Sequence, residues 1–176
     1  AFCCAFPTAP EALEAALKEI RSMVPAGSWS EEVRHFPLDK QCNPAIQSDR
    51  GGVSCLAAKV QICYKGKPEM QQIRADMFAT QETLSIDGVW RIAEMHGAKR
   101  AELEACVNSP ETNATLQQDI ELGLKYGLEG TPLVVINGRK TNAVPALIYA
   151  LIVTEGRSDD PGFGVLPPPS PNPEAH

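Results

Sequence analysis

The chain has 176 residues, of which 43% are hydrophobic and 22% are charged, and it carries a net charge of −6 with a pI near 5.1. These values suit one globular domain with some length left for a tail, and they disfavour nucleic acid and anionic membrane surfaces as partners. The longest apolar segment, AVPALIYALIV, is shorter than the roughly 18 residues that a transmembrane helix needs, and the start of the chain does not have the pattern of a signal peptide.

The cysteines are the first informative feature. None belongs to a C-x-x-C pair or shares a zinc-site spacing with a histidine, so the sequence predicts neither a metal site nor a cofactor. The histidines are scattered, and we expect His35 and His96 at the surface or in turns rather than in catalysis. An even number of cysteines indicates disulfide bonds and an oxidising compartment. The six are Cys3, Cys4, Cys42, Cys55, Cys63 and Cys106.

The first third of the chain predicts a helix, a strand and a loop. Residues 8–24 place apolar side chains at helical spacing, and Thr8 and Glu11 can form a capping box. The segment EEVRHFPL predicts a short strand that ends near Pro37. The segment DKQCNPAIQSDRGG is rich in turn-forming residues and predicts a loop.

The middle of the chain predicts a block of helices. Apolar residues recur at helical spacing in four segments, and Ser109 followed by Pro110 marks the start of a fifth helix, which ends near Gly127. The four segments are residues 53–64, 68–79, 85–97 and 99–109.

The last part of the chain predicts a β-hairpin, a helix and a tail. Residues 133–136 are apolar, and the Asn137-Gly138 pair that follows is typical of a type I′ turn. A helix over about 144–154 comes next, after which the composition becomes Pro-rich and predicts extended, unpacked chain. We therefore expect a domain over residues 1–155 and an extended tail over 156–176.

This order of elements predicts an α/β or α+β domain in which helices are inserted between strands. The sheet would be thin, because the first helix begins almost at residue 1 and leaves only two short strands and one arm of a hairpin. A strand upstream of Ala1, from this chain or another, would complete it.

Five segments carry a resemblance to a known family: HFPLDKQCNP, CLAAKVQIC, MFATQETLS, ACVNS and GLEGTPLVVINGR. Together they resemble the DsbA-like thiol–disulfide oxidoreductases, and the similarity covers residues 2–153. The resemblance is greatest to bacterial members that are often fused to, or work with, membrane partners of the vitamin K epoxide reductase type. It implies a thioredoxin-like α/β fold with an inserted helical block.

The most specific part of the resemblance is the segment Gly130-Thr131-Pro132. In the family this proline is cis and faces the active site, which implies that Thr131 and Pro132 bind an extended polypeptide or a redox partner. Before proline the cis form costs only about 0.5–1 kcal/mol, and a cis-Pro ahead of a strand exposes backbone for pairing with an extended chain. The alternative is a trans proline at the first position of the strand.

The resemblance also implies an altered active site near the first residues. The family has Phe-x-Cys-x-x-Cys at the start of the first helix, so Cys4 is the candidate nucleophile and Pro7 replaces the resolving cysteine. The second thiol of a C-x-x-C pair resolves the mixed disulfide and lets the site store two electrons. A C-x-x-P site can therefore form mixed disulfides but cannot cycle as a dithiol oxidase. Cys3 is a poor substitute, because a disulfide between adjacent residues is strained.

Two positions for the start of the first helix are compatible with the sequence. If the helix begins at Cys4, its dipole stabilises a Cys4 thiolate. If Thr8 is the N-cap, Cys4 lies one turn upstream, gains little from the dipole and belongs to a vestigial site.

The other four cysteines are disulfide candidates. Cys42 and Cys55 are the preferred pair, because a bond between them closes a small loop and stabilises the fold by about 3 kcal/mol in the chain-entropy model. Cys63 and Cys106 lie on apolar helix faces. They are either buried free thiols or disulfide-bonded, to each other or one of them to Cys55.

The sequence supports two hypotheses about function. The preferred one is an extracytoplasmic thioredoxin-fold protein with a degenerate redox site, which acts as a binding or structural subunit of a larger assembly. The alternative is a monothiol thiol–disulfide oxidoreductase or isomerase that uses Cys4. Both predict a periplasmic or otherwise extracytoplasmic location, membrane-tethered forms included. Both also predict a polypeptide or redox partner protein at the cis-Pro face, and no nucleic acid.

Overall fold

A four-stranded mixed sheet organises the chain. In the computed structural model, which describes residues 2–4, 20–25, 27, 29–128, 133–141, 144–155 and 157, the strands have the order β2-β1-β3-β4. They are β1 (Phe2–Cys4), β2 (Val33–His35), β3 (Leu133–Ile136) and β4 (Arg139–Thr141). Strand β1 runs parallel to β2 and antiparallel to β3, and β3 and β4 form an antiparallel hairpin.

The strand that completes the sheet is Phe2–Cys4 itself, rather than the upstream segment that the sequence suggested. It occupies an inner position, with β2 on one side and β3 on the other. Three residues are too few to show the alternation of apolar and polar side chains by which a strand is recognised. The capping signals around Thr8 also predicted a helix close to residue 1, which left little chain for a strand before it. Only the backbone is described at residues 2–4, as also at 139 and 145.

The turn between β3 and β4 confirms the hairpin predicted from Asn-Gly. Asn137 and Gly138 have φ angles of 49° and 80°, and positive φ at both central residues is what a type I′ turn requires. This turn matches the right-handed twist of the two strands it joins, which is why the pair is favoured at this position.

Between β2 and β3 the described chain forms a loop over 36–52 and then a block of helices, as predicted. The helices correspond closely to the predicted segments, and a further helix follows β4. Residues 20–23 are also helical and belong to the predicted first helix, whose remaining positions lie outside the described residues. The helices are α1 (Val53–Cys63), α2 (Met70–Ala79), α3 (Ile86–Met95), α4 (Arg100–Val107), α5 (Pro110–Lys125) and α6 (Pro145–Val153).

Two of these helices begin at serine caps that satisfy exposed main-chain donors. The Ser85 side chain accepts a hydrogen bond from the Gly88 N–H at the start of α3, and Ser109 accepts one from the Thr112 N–H at the start of α5. Pro110 occupies the first turn of α5, where the missing N–H of proline costs nothing.

Of the four apolar clusters among the described residues, three join the elements in the way described below. The largest lies inside the helical block, a second lies under the sheet, and a third joins α5 to the end of β2. The first includes Val60, Ile73, Met77, Val89 and Leu103. The second includes Ile20, Val24, Val134 and Ile148, and the third Phe36, Ala58, Leu116 and Ile120. The inserted helices therefore have a core of their own, and the third cluster connects that core to the sheet.

One contact in the third cluster leads to a test of the packing. A Cβ atom added to Gly123 of α5 would lie 2.7 Å from Phe36 Cδ2, and Phe36 is itself buried. We expect Gly123→Ala to destabilise the protein by about 1 kcal/mol, because overpacking costs about 1–3 kcal/mol and the helix propensity of alanine offsets only about 1 kcal/mol. Denaturant unfolding measures the difference. In a Phe36→Leu background the same substitution should be less harmful. A more stable Gly123→Ala variant would show that the two residues do not meet.

The predicted Pro-rich tail lies outside the described residues, apart from Arg157, whose N–H donates to the Thr154 carbonyl. Within the described part of the chain, no helix has the length and apolar character needed to cross a membrane.

Candidate functional site

Of the candidate site predicted from the sequence, the structure describes the backbone of Cys4, which lies at the end of β1 beside the start of β3. The register pairs Cys3 with Leu133 across the antiparallel strands, and Cys4 with His35 across the parallel ones. Thr131, Pro132 and Pro7 lie outside the described residues, so their roles in the site remain predictions.

The position of Cys4 shows whether the first helix begins at that residue. Cys4 is the last described residue of β1, so the helix does not begin there. Of the two helix starts compatible with the sequence, the one at Cys4 is therefore not found, while Thr8 lies outside the described residues.

Four of the six cysteines are paired in two disulfide bonds. Cys42 is bonded to Cys55, which is the pair the sequence favoured, with 5.9 Å between their Cα atoms. Cys63 is bonded to Cys106 with a Cα separation of 6.1 Å, so these two are not free thiols. None of the four is therefore available as a thiol that could resolve a mixed disulfide at Cys4.

The loop that carries Cys42 is organised by two fully buried polar side chains. The Asp39 carboxylate accepts hydrogen bonds from the main-chain N–H groups of Gln41 and Gly52, at 3.0 and 2.8 Å. The Asn43 amide donates to the Pro37 carbonyl at 2.9 Å. These bonds join both ends of the loop and stabilise it together with the Cys42–Cys55 disulfide. The arrangement indicates a structural role for this bond.

A buried polar group, which sequence reasoning missed, lies at the end of β2 next to the candidate site. The main-chain N–H of His35 donates to Asp119 Oδ2 at 3.0 Å, and Arg34 Nη1 donates to Asp119 Oδ1 at 2.9 Å. His35 and Asp119 are only 6% and 2% exposed, so the expectation that His35 is a surface or turn residue is wrong. Asp119 could have been found from the sequence, because it shares the buried face of α5 with Leu116.

His96, the other histidine considered above, caps the end of α3, and its Nε2 lies 2.7 Å from Asp76 Oδ2.

The environment of the buried polar group at the end of β2 shifts the pKa of both titratable members. Burial, followed by the positive charges of Arg74, Lys65 and Arg34, lowers the pKa of His35 to about 3. Burial also raises the pKa of Asp119, although hydrogen bonds from Arg34 and the His35 N–H act in the opposite direction. The imidazole is therefore neutral at ordinary pH, and the carboxylate depends on its two donors to remain ionised.

Among the described residues, no cluster of three or more histidine, cysteine, aspartate or glutamate side chains has a geometry that could hold a metal ion.

The sheet order β2-β1-β3-β4, with β1 and β2 parallel, β3 antiparallel and a helical block inserted before β3, defines a thioredoxin-fold protein. A family model described as Thioredoxin matches residues 11–147, and the chain belongs to this family. The matched segment begins after Cys4 and Pro7.

A comparison with solved structures gives a second finding. The chain is similar to DsbA from Proteus mirabilis, in a cysteine-to-serine variant with a non-covalently bound peptide, PWATCDS. The identity is 17%, the alignment covers 88% of this chain and 83% of the other, and the TM-score is 0.59. A comparison with curated protein sequences gives no match. The protein is thus a member of the Thioredoxin family whose fold is similar to that of DsbA, and it carries two disulfide bonds.

Proposed function

We propose that this protein is an extracytoplasmic, DsbA-like binding subunit that uses a degenerate redox site to hold an extended polypeptide within a larger assembly. One observation carries the proposal. Cys42, Cys55, Cys63 and Cys106 are consumed in two disulfides, so among the side chains that the structure describes no free thiol is left to serve Cys4, whose backbone lies at the end of β1 and whose sequence frame is C-x-x-P. A thiol there can capture a partner but has no second thiol with which to release it by exchange.

The same edge suits a peptide ligand. Strand β3 begins beside the end of β1, directly after Thr131 and Pro132, and a cis-Pro at that point would offer main-chain groups to an extended chain. The cysteine-to-serine variant of DsbA from Proteus mirabilis holds its peptide without a covalent bond, which shows that peptide binding on this fold does not require a thiol at that position and supports such binding here.

Location and assembly follow from the disulfides and the tail. Two disulfide bonds in a domain of this size favour an oxidising, extracytoplasmic compartment, with the periplasm as our proposal. We propose that residues 1–155 form the binding domain and that the Pro-rich tail over 156–176 is an extended spacer to the rest of the assembly or to a membrane tether.

Binding of the peptide PWATCDS, and of the same peptide with serine in place of cysteine, tests this proposal. We expect both peptides to bind, and we expect Cys4→Ser to leave the affinity for the serine peptide unchanged. Pro132→Ala should weaken binding about tenfold, equivalent to about 1.4 kcal/mol. Pro110→Ala, which removes a proline from the distant start of α5, is the matched control. If neither peptide binds, or if Pro132→Ala and Pro110→Ala behave alike, the proposal is wrong.

The alternative function, a monothiol oxidoreductase or isomerase, retains support because Cys4 lies at the end of β1 near the start of β3. It predicts insulin reduction, or refolding of scrambled substrate, that disappears in Cys4→Ser. Peptide binding without such activity favours the binding subunit, and activity that depends on Cys4 favours the enzyme.

A further inference from the structure

A cavity of about 250 Å³ lies in the helical block, remote from the candidate site, and the Cys63–Cys106 disulfide forms part of its wall. Both cysteines are partly exposed rather than buried. Cys63 is the last residue of α1, and Cys106 lies in the last turn of α4. The cavity therefore gives small solutes a route to a disulfide inside the helical block.

A buried hydroxyl lies against this disulfide. Thr112 Oγ1 is 3.6 Å from the sulfur of Cys63 and 3.6 Å from that of Cys106, and Thr112 is only 4% exposed. Ser109 Oγ donates to the same Thr112 oxygen at 3.2 Å. Because a disulfide sulfur has no proton to donate, the Thr112 hydroxyl is the donor. Its equal distances allow it to donate to whichever sulfur leaves as a thiolate.

The helix ends around the bond make this hydroxyl important. Both cysteines lie at the C-terminal ends of their helices, where the negative end of the dipole disfavours a thiolate. Thr112 lies in the first turn of α5, whose positive end acts in the opposite direction. Stabilisation of a released thiolate therefore depends on the start of α5 and on the Thr112 hydroxyl.

The lining of the cavity indicates the class of ligand. Lys67 and Lys99 contribute positive charge to the wall, and Glu69 and Glu102 contribute negative charge. Lys99 and Glu102 form an ion pair at 2.9 Å, and the Lys67 ammonium lies 4.5 Å from the centre of the Tyr64 ring, so a ligand would compete with these contacts. A wall with both signs suits a zwitterion. The volume lies just below the range of about 300–1,000 Å³ that is usual for small-molecule sites, so a small solute fits better than a folded protein.

We propose that the Cys63–Cys106 disulfide is a thiol-exchange site for small aminothiols, of which free cysteine is the simplest. The thiolate of the aminothiol attacks one sulfur, a mixed disulfide forms, and the other sulfur leaves as a thiolate that takes a proton from water. A second aminothiol then attacks the mixed disulfide and releases the symmetrical disulfide of the small molecule. Two aminothiols thus supply the two electrons that reduce the protein bond, and the reverse reaction restores it.

The helical block has an apolar core that can keep it folded when the disulfide is reduced. Helices α1, α3 and α4 share an apolar cluster that includes Val60, Val89 and Leu103, all buried. Cys63 is one of the partly buried residues that pack against this cluster, whose buried members also contact one another directly. We therefore expect the block to stay folded when the bond is reduced.

The test exposes the full chain to buffers of L-cysteine and cystine at graded ratios, followed by alkylation and peptide mass spectrometry. We expect a cysteine adduct on Cys63 or Cys106, and reduction of this bond under conditions that leave Cys42–Cys55 oxidised. Circular dichroism verifies that the protein is folded. If Cys42–Cys55 is reduced first, or if both bonds open only on unfolding, the proposal is overturned. Because the adduct is assigned to a peptide, the result is independent of the behaviour of Cys4.

A substitution separates exchange at a prepared site from mere accessibility. Thr112→Val removes the hydroxyl at nearly constant volume and should slow reduction by L-cysteine about fivefold, the equivalent of about 1 kcal/mol for one hydrogen bond. Thr115→Val is the matched control, because its hydroxyl donates to the Glu111 carbonyl instead. With neutral 2-mercaptoethanol at equal thiolate concentration, reduction of the wild-type protein should be slower than with L-cysteine. Equal rates for all variants and both thiols would contradict the proposal.

Discussion

Replacing Asp119 by leucine should destabilise the protein by about 3 kcal/mol, whereas replacing it by asparagine should cost only about 1 kcal/mol. The leucine removes the acceptor of both the Arg34 guanidinium and the His35 main-chain N–H. Loss of one member of a buried pair costs about 3–5 kcal/mol. We expect the lower end of this range, because the Arg34 side chain is 25% exposed and keeps a second ion pair with Glu32 at 2.7 Å.

Asparagine behaves differently because it keeps one oxygen and removes one charge. Its side-chain carbonyl can still accept the hydrogen bond from the His35 N–H. Burial already raises the pKa of Asp119, which means that the ionised carboxylate is disfavoured by its surroundings, and a neutral amide avoids that cost.

Denaturant unfolding at neutral pH, without reductant, measures both effects. Glu121→Leu is the matched control, since it makes the same chemical change at an exposed position on α5 and should shift the free energy of unfolding by no more than about 0.5 kcal/mol. If the two Asp119 variants are equally stable, the ion pair and the hydrogen bond to β2 do not hold the sheet edge as described.

The helices and the hairpin could be predicted because their signals are local. Apolar spacing defined α1 to α5, and Asn137-Gly138 defined the turn, since each pattern is complete within a few residues of chain. The Cys42–Cys55 bond belongs to the same class, because its partners are 13 residues apart. The thioredoxin-like fold followed from the resemblance and not from these local patterns.

Features that depend on distant contacts could not be predicted in the same way. Strand β1 has three residues and is defined by its pairing with β2 and β3, not by a pattern of its own. The Cys63–Cys106 bond joins residues 43 positions apart, and spacing does not determine connectivity over that distance. The burial of His35 depends on packing by α5, which follows about 75 residues later in the printed sequence. The pairing of β1, the burial of His35 at the end of β2 and the second disulfide therefore all depend on long-range contacts.

The stability of the protein should fall as the pH decreases from 6.5 to 4.5, and His35 should account for about 2–3 kcal/mol of the loss. Its pKa is about 3 in the folded protein and near 6.5 in the unfolded chain, so between these values only the unfolded chain binds the proton. Each pH unit in this window then removes at most about 1.4 kcal/mol. The cations around the ring, Arg74, Lys65 and Arg34, add to the effect of burial.

A His35→Gln variant isolates this contribution, because glutamine does not titrate. The lowered pKa of Glu32 and the raised pKa of Asp119 also affect the pH dependence, but both groups are present in the wild type and the variant. We therefore expect the difference in unfolding free energy between the two proteins to change by about 2–3 kcal/mol between pH 6.5 and 4.5, in favour of the variant as the pH falls. Parallel profiles would mean that His35 is protonated in the folded state. Because His35 pairs with Cys4 in the sheet, the unfolding that its protonation favours also removes the strand end where the proposed peptide site begins.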